Sequence, residues 1–185
     1  MKIRVLFYKA KVDGKLLDDA ISIYTGVLPC NWGTEGYSHV EVWWPDDYGS
    51  FEIVSDSGNA YYVGECFSST TRGQWKGVRV APTDEVLKHP DRWDCLEMEV
   101  EDDLFYKAKD TIWSEIGKPY DHKGIFGFFW PWPVQDKNKW YCSEIVAFFL
   151  FLVKKLLKRE VRISPRRLSK LLRNRYIIKP LVSFK

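Results

Sequence analysis

Strand-like and helix-like segments are segregated along this chain, and that order narrows the folds open to it. Short runs rich in β-branched and aromatic residues occupy 3–8, 37–44, 51–54, 61–67, 77–80 and 94–100, separated by Asp, Ser, Gly and Thr. Apolar residues at helical spacing mark 15–24, then 102–116, 143–157 and 165–173, with Ser164 and Pro165 suited to the N-cap and first helical position. Residues 121–139 read as a loop of Gly, Pro and large aromatics. Strands grouped in the middle with helices towards the ends predict an α+β fold. The 185 residues carry no internal repeat and no low-complexity linker, so a single domain spanning 1–185 is expected.

Charge is distributed unevenly. Residues 151–185 hold twelve Lys and Arg against one acid, a balance of +11, whereas the first 150 residues sum to −8. This predicts a basic, helical C-terminal segment from about residue 151, whose bland reading is a solvated helix face and whose sharper one is contact with an anionic surface. No basic groove interleaved with aromatics is visible, so nucleic acid is not an expected partner. The longest apolar run, 145–153, is too short to span a bilayer, and the N-terminus lacks the form of a signal peptide, so a cytoplasmic protein is expected. Four cysteines, at 30, 66, 95 and 142, have neither zinc-ligand nor disulfide-framework spacing, so no metal and no cofactor is expected. Nine Trp among 30 aromatics suit a rigid core or an apolar cleft wall.

One cysteine stands apart. Cys142, in Trp140-Tyr141-Cys142-Ser143-Glu144, opens the most apolar helix. There the unpaired backbone N–H groups and the positive end of the helix dipole favour a thiolate, and the same groups can stabilise an oxyanion. A thiolate nucleophile needs a base held by a third polar group. His39 begins the 37–44 strand, whereas His89 and His122 sit in turn-like, polar surroundings. Cys30, Cys66 and Cys95 read as small core residues. Glu144 reads as a helix-start acid that points away from the thiol or pairs with a base. Arg72 and Arg79 read as surface salt-bridge partners, or as contacts for an anionic substrate group.

The segment Gly117-Lys118-Pro119-Tyr120-Asp121, followed by Tyr141-Cys142-Ser143-Glu144 at a helix start, resembles the nucleophile region of NlpC-type, papain-like cysteine hydrolases. Ser38-His39-Val40-Glu41-Val42 resembles their histidine strand. His39 precedes Cys142, the reverse of the ordinary order, and this resembles the circularly permuted branch that includes lecithin–retinol acyltransferase-like proteins and phage and bacterial relatives. Phe67-Ser68-Ser69, Gly77-Val78-Arg79, the turn from Pro90 to Asp94, and Ile163-Ser164-Pro165 extend the resemblance from about residue 3 to about residue 172.

The resemblance implies a permuted papain-like fold, with a central antiparallel sheet or small barrel packed against helices. It implies Cys142 as nucleophile, His39 as base and then acid, and Tyr120 as a pocket residue assisting the oxyanion. The third residue departs from the family pattern. Glu41, two along from His39 and on the same strand face, is the first choice, with Glu52 and Ser68 as alternatives on following strands. Ser68 is also a candidate, beside Tyr120, for substrate or oxyanion contact. The expected activity is cleavage of an amide bond by a peptidase or amidase, cell-wall-type peptides being candidate substrates. Two alternatives are a lipid acyl hydrolase or acyltransferase using the same pair, with membrane contact, and a non-catalytic binding protein on the same fold.

Overall fold

A computed structural model of the chain describes residues 1–9, 36–54, 60–71, 76–126, 136–159 and 163–183. The expected helix at 15–24 therefore lies outside the described residues, as do Cys30 and Arg72. The protein is α+β, with a six-stranded antiparallel sheet packed against helices. Its strands are β1 (Lys2–Lys9), β2 (Tyr37–Trp44), β5 (Glu65–Thr70), β6 (Gly77–Pro82), β7 (Trp93–Glu99) and β8 (Lys179–Pro180), in the order β6-β5-β2-β1-β7-β8. A separate ribbon pairs β3 (Glu52–Val54) with β4 (Ala60–Tyr62). The helices are α1 (Thr83–Val86), α2 (Asp102–Trp113), α3 (His122–Phe126), α4 (Cys142–Leu152) and α5 (Pro165–Arg173).

β2 is buried along its whole length because the sheet is covered on both faces. Val40, Val42 and Trp44 join the main core with Val5, Phe7, Phe67, Leu96 and α4 residues such as Ile145 and Phe149. Trp43, one position out of phase, joins a second core with Leu6, Phe51, Cys66, Trp93 and Cys95. Trp43, Trp44, Trp93 and Trp140 are all buried, so these four indoles are core. Each such side chain contributes about 1.5–3 kcal/mol on burial.

Three boundaries differ from the sequence expectation. The 61–67 strand is two strands, because Gly64 (φ 85°) turns the chain where a Cβ would meet the Trp44 carbonyl oxygen at 2.2 Å. The 143–157 helix is α4, which starts at Cys142 and stops at Leu152. Lys154 takes φ 57°, the Lys154 N–H donates to Phe151 O, and the Lys155 N–H donates to Leu150 O at 2.8 Å, a Schellman ending without the usual glycine. Among its described residues the basic C-terminal segment is helical at the end of α4, in α5, whose Ser164 cap accepts the Arg167 N–H at 3.2 Å, and in a 3-10 turn at Leu181–Ser183. Between α5 and that turn, Lys179–Pro180 forms the edge strand beside β7, and Leu181 is buried.

Candidate active site

α4 packs against β2 and β5, and its first residue is Cys142. Three ties fix that first residue. The Ser143 hydroxyl donates to Ile163 O at 2.6 Å, the Ser69 hydroxyl on β5 donates to Trp140 O at 2.7 Å, and the Asp121 N–H donates to the same Trp140 carbonyl at 3.0 Å. The 117–121 segment is held in turn by β6, where the Val78 N–H donates to Lys118 O at 2.9 Å. Gly77 (φ 87°) is needed there, because a Cβ would lie 2.3 Å from Lys118 O. The Gly-Lys-Pro-Tyr segment and the nucleophile helix are thereby joined through backbone, with Tyr120 bridged to Trp140.

His39 lies on β2 with its Nε2 2.6 Å from Glu41 Oε1. Its ring also hydrogen-bonds Cys142, and with Nε2 taken by Glu41 the Nδ1 side is the one left for the sulfur. Burial alone would lower the His39 pKa, but the Cys142 thiolate and the Glu41 carboxylate outweigh it and raise the value to about 9. Burial likewise opposes ionisation of Cys142. The His39 charge and hydrogen bond, with backbone N–H groups of Val40 and Ser143 at the sulfur, win and hold its pKa below the usual thiol value. Both shifts favour the thiolate–imidazolium form of the pair.

Glu41 is fully buried and is held by Arg79, whose two terminal nitrogens donate at 2.7 Å to Oε2 and 2.5 Å to Oε1. Burial raises the Glu41 pKa, yet Arg79 and then His39 bring it down to about 2. Arg79 also donates to Cys66 O at 3.1 Å. The four groups form one buried line, Arg79 to Glu41 to His39 to Cys142. Arg79 is thus neither a surface salt-bridge partner nor placed to take a substrate anion. It was legible as the mirror of Glu41: each is a charge flanked by valines within a strand.

The other candidates fall elsewhere. Ser68 is fully buried between Glu41 and Arg79, and its hydroxyl donates to Val40 O at 2.7 Å, so its proton is committed to the sheet and not to His39 or a substrate. Its small side chain lets Arg79 reach across β5 to Glu41. Glu52 sits on the β3–β4 ribbon opposite Tyr62. Tyr120 is half-buried, its ring 5.1 Å from that of His122. Glu144, expected to point away or pair with a base, does not point into solvent: it is 1% exposed, with the charge of Arg159 acting on it. Burial and the charge of Asp121 push its pKa up to about 8 against the pull of Arg159, so it is neutral at pH 7. Cys66 and Cys95 are buried thiols; burial lifts Cys66 well above the usual value and Cys95 to about 12.

Among the described residues no helix is long and apolar enough to cross a membrane, and no three His, Cys, Asp or Glu side chains are grouped to hold a metal ion. Comparison with protein-family models, with curated proteins and with solved structures gives no match.

Proposed function

We propose that the chain is a cysteine hydrolase with a permuted papain-like fold of the NlpC type, cleaving amide bonds of peptides. The observation that carries this reading is the His39 ring held between Glu41 and Cys142, with the thiol at the start of a helix and its pKa lowered. The order of the elements supports it, the histidine strand preceding the nucleophile helix. The buried, unpaired thiols Cys66 and Cys95 suit a reducing compartment such as the cytoplasm.

In this reading the Cys142 thiolate attacks the carbonyl carbon and the carbonyl electrons move to oxygen. First-turn N–H groups of α4 stabilise that oxyanion, with Tyr120 lining the pocket beside it. The His39 imidazolium then gives its proton to the leaving nitrogen, the C–N bond breaks, and a thioester remains on Cys142. Neutral His39 next takes a proton from water as the water oxygen attacks the thioester carbon. The C–S bond breaks, and the acid product leaves with the thiolate and imidazolium restored. Glu41 keeps the ring oriented throughout, and Arg79 keeps Glu41 ionised.

The test is turnover of a peptide amide and of a short-chain phospholipid in parallel, with Cys142→Ala as control. Amide turnover lost in the variant supports the proposal. Phospholipid turnover alone would assign the same pair to an acyl hydrolase. Cys142 alkylated near pH 7 no faster than Cys66 and Cys95 would remove the nucleophile and leave a binding protein.

A further inference from the structure

The sheet opens beside the thiol. β2 and β5 pair Trp44 with Glu65, Trp43 with Cys66 and Val42 with Phe67, and there their ladder stops. Both strands extend past that point, and β5 goes on pairing with β6, Ser68 with Arg79 and Ser69 with Val78. One rung further in the same register would join Val40 to Ser69, because the backbone of an antiparallel strand faces the same neighbour at every second residue. Val40 is satisfied elsewhere instead. Its N–H hydrogen-bonds the Cys142 sulfur, and its carbonyl accepts the Ser68 hydroxyl at 2.7 Å. The same hydroxyl lies 3.4 Å from Ser69 O, the other carbonyl of the absent rung. Ser69 gives its own hydroxyl to Trp140 O at 2.7 Å, tying β5 to the segment just before the thiol. Both serines are fully buried.

We infer that the Val40 N–H is a further catalytic donor, released from the sheet to hold the Cys142 thiolate, and that Ser68 is the positioning residue that keeps it free. In a closed ladder this N–H would go to the Ser69 carbonyl and the sulfur would lose it. A buried carbonyl stripped of its rung needs another donor. Ser68 supplies one from a side chain small enough to leave Arg79 its path to Glu41. An apolar residue in its place would leave Val40 O unpaired, which favours closing the rung onto Ser69 and drawing the Val40 N–H off the sulfur. Val40 follows His39 in the chain, so one strand brings two groups to the same atom, a ring and a backbone donor. Each hydrogen bond to a thiolate favours its charged form. The donor therefore acts before attack and again as the C–S bond of the thioester breaks.

This rests on Cys142 as the nucleophile, but its test reads the thiol itself and needs no turnover. The experiment follows the rate of iodoacetamide alkylation of the full chain from acid to alkaline pH, with Cys142→Ala to subtract the other thiols. Ser68→Ala should move the acid midpoint, where the thiolate forms, up by about one pH unit and leave the second inflection, set by His39, in place. Ser68→Thr, which keeps the hydroxyl, should reverse most of that shift. Ile112→Val, a core truncation on α2, should lower the urea midpoint and move neither inflection. Whatever the Ser68 variants do to folding, the Val40 amide proton resonance of the parent should titrate with the thiol and stay still in Cys142→Ala. A Val40 resonance that does not follow the thiol overturns the inference. So does a Ser68→Ala midpoint equal to the parent's, which would leave Ser68 a role in stability alone. A parent thiol that ionises only at an ordinary thiol pH would remove the nucleophile and the donor together. A shifted midpoint without amide turnover would support the donor and remove the hydrolase.

Discussion

Glu41, on the strand of His39, and Glu144, two residues past Cys142 on α4, are both 1% exposed, yet they are held in opposite charge states. On the sheet side, Glu41 has a forked Arg79 and the His39 ring, and its pKa falls to about 2. On the helix side, Glu144 shares its surroundings with another buried carboxyl, Asp121, and its pKa climbs to about 8. Burial works the same way on both, towards the neutral form. Neighbouring charge decides between them. The consequence for Cys142 is one-sided: the negative charge that supports the His39 imidazolium is present, while a second negative charge two residues along the helix, which would oppose the thiolate, is absent at neutral pH.

The largest effects should come from breaking the ionised side. His39→Ala should cut amide turnover by about 10²–10⁴-fold by removing the general base and acid. Arg79→Met should cost about 3–5 kcal/mol of stability, read as the shift in urea midpoint, because it strands the Glu41 carboxylate in the interior. Glu41→Gln together with Arg79→Met should recover much of that loss, since the buried charge goes with its partner. A double variant no more stable than Arg79→Met alone would show that the arginine acts through packing. Glu41→Gln alone should lower the His39 pKa from about 9, moving the alkaline fall of turnover to lower pH.

The neutral side has the opposite pH signature. Glu41, with a folded pKa below its ordinary 4.5, contributes stability above that value and loses it as pH falls towards about 2. Glu144, with a folded pKa above 4.5, contributes fully below it and loses its contribution as pH rises through about 8. Glu144→Gln should therefore leave stability near pH 5 little changed and raise it by about 2–4 kcal/mol near pH 9, in proportion to the shift. Equal stability of variant and parent at pH 9 would mean that Glu144 reaches solvent when it ionises.

The ionised side was largely readable in the sequence and the neutral side was not, for a physical reason. A strand alternates faces with period two, so Glu41 two residues from His39 must share its face, and a helix-start cysteine is recognisable from its flanks. Arg79 needed only the same argument applied to the next valine-flanked charge, together with the pairing of β6 through β5 to β2. Glu144 obeys a local rule, an acid in the first turn of a helix, that normally describes a solvated side chain. What overrides it is the packing of the 119–121 segment against Trp140, a contact between residues distant in sequence that no local pattern encodes. The early end of α4 was hidden similarly, because lysine carries no signal for the left-handed conformation that Lys154 adopts. The order of strands and helices, by contrast, is local, and it indicated the α+β class directly.

The smallest expected effect bears on what keeps Glu144 neutral. Asp121 accepts the Gly124 N–H at 2.9 Å through Oδ1, while Oδ2 is buried with no hydrogen-bond partner among the described residues. Asp121→Asn keeps an acceptor for Gly124 and removes the charge. If the charge of Asp121 supports the neutral state of Glu144, the Glu144 pKa should drop by about one unit, and the alkaline loss of stability should become correspondingly shallower. The measurement is the urea midpoint across pH 5 to 10 in the parent, in Asp121→Asn, and in Asp121→Asn combined with Glu144→Gln. The asparagine should flatten the curve in the parent background and change its shape little once Glu144 is gone. A curve that the asparagine leaves unmoved in both backgrounds would assign the neutral state of Glu144 to burial alone. The contrast with Glu41 would then rest on the presence of Arg79 on one side, with no contribution from Asp121 on the other.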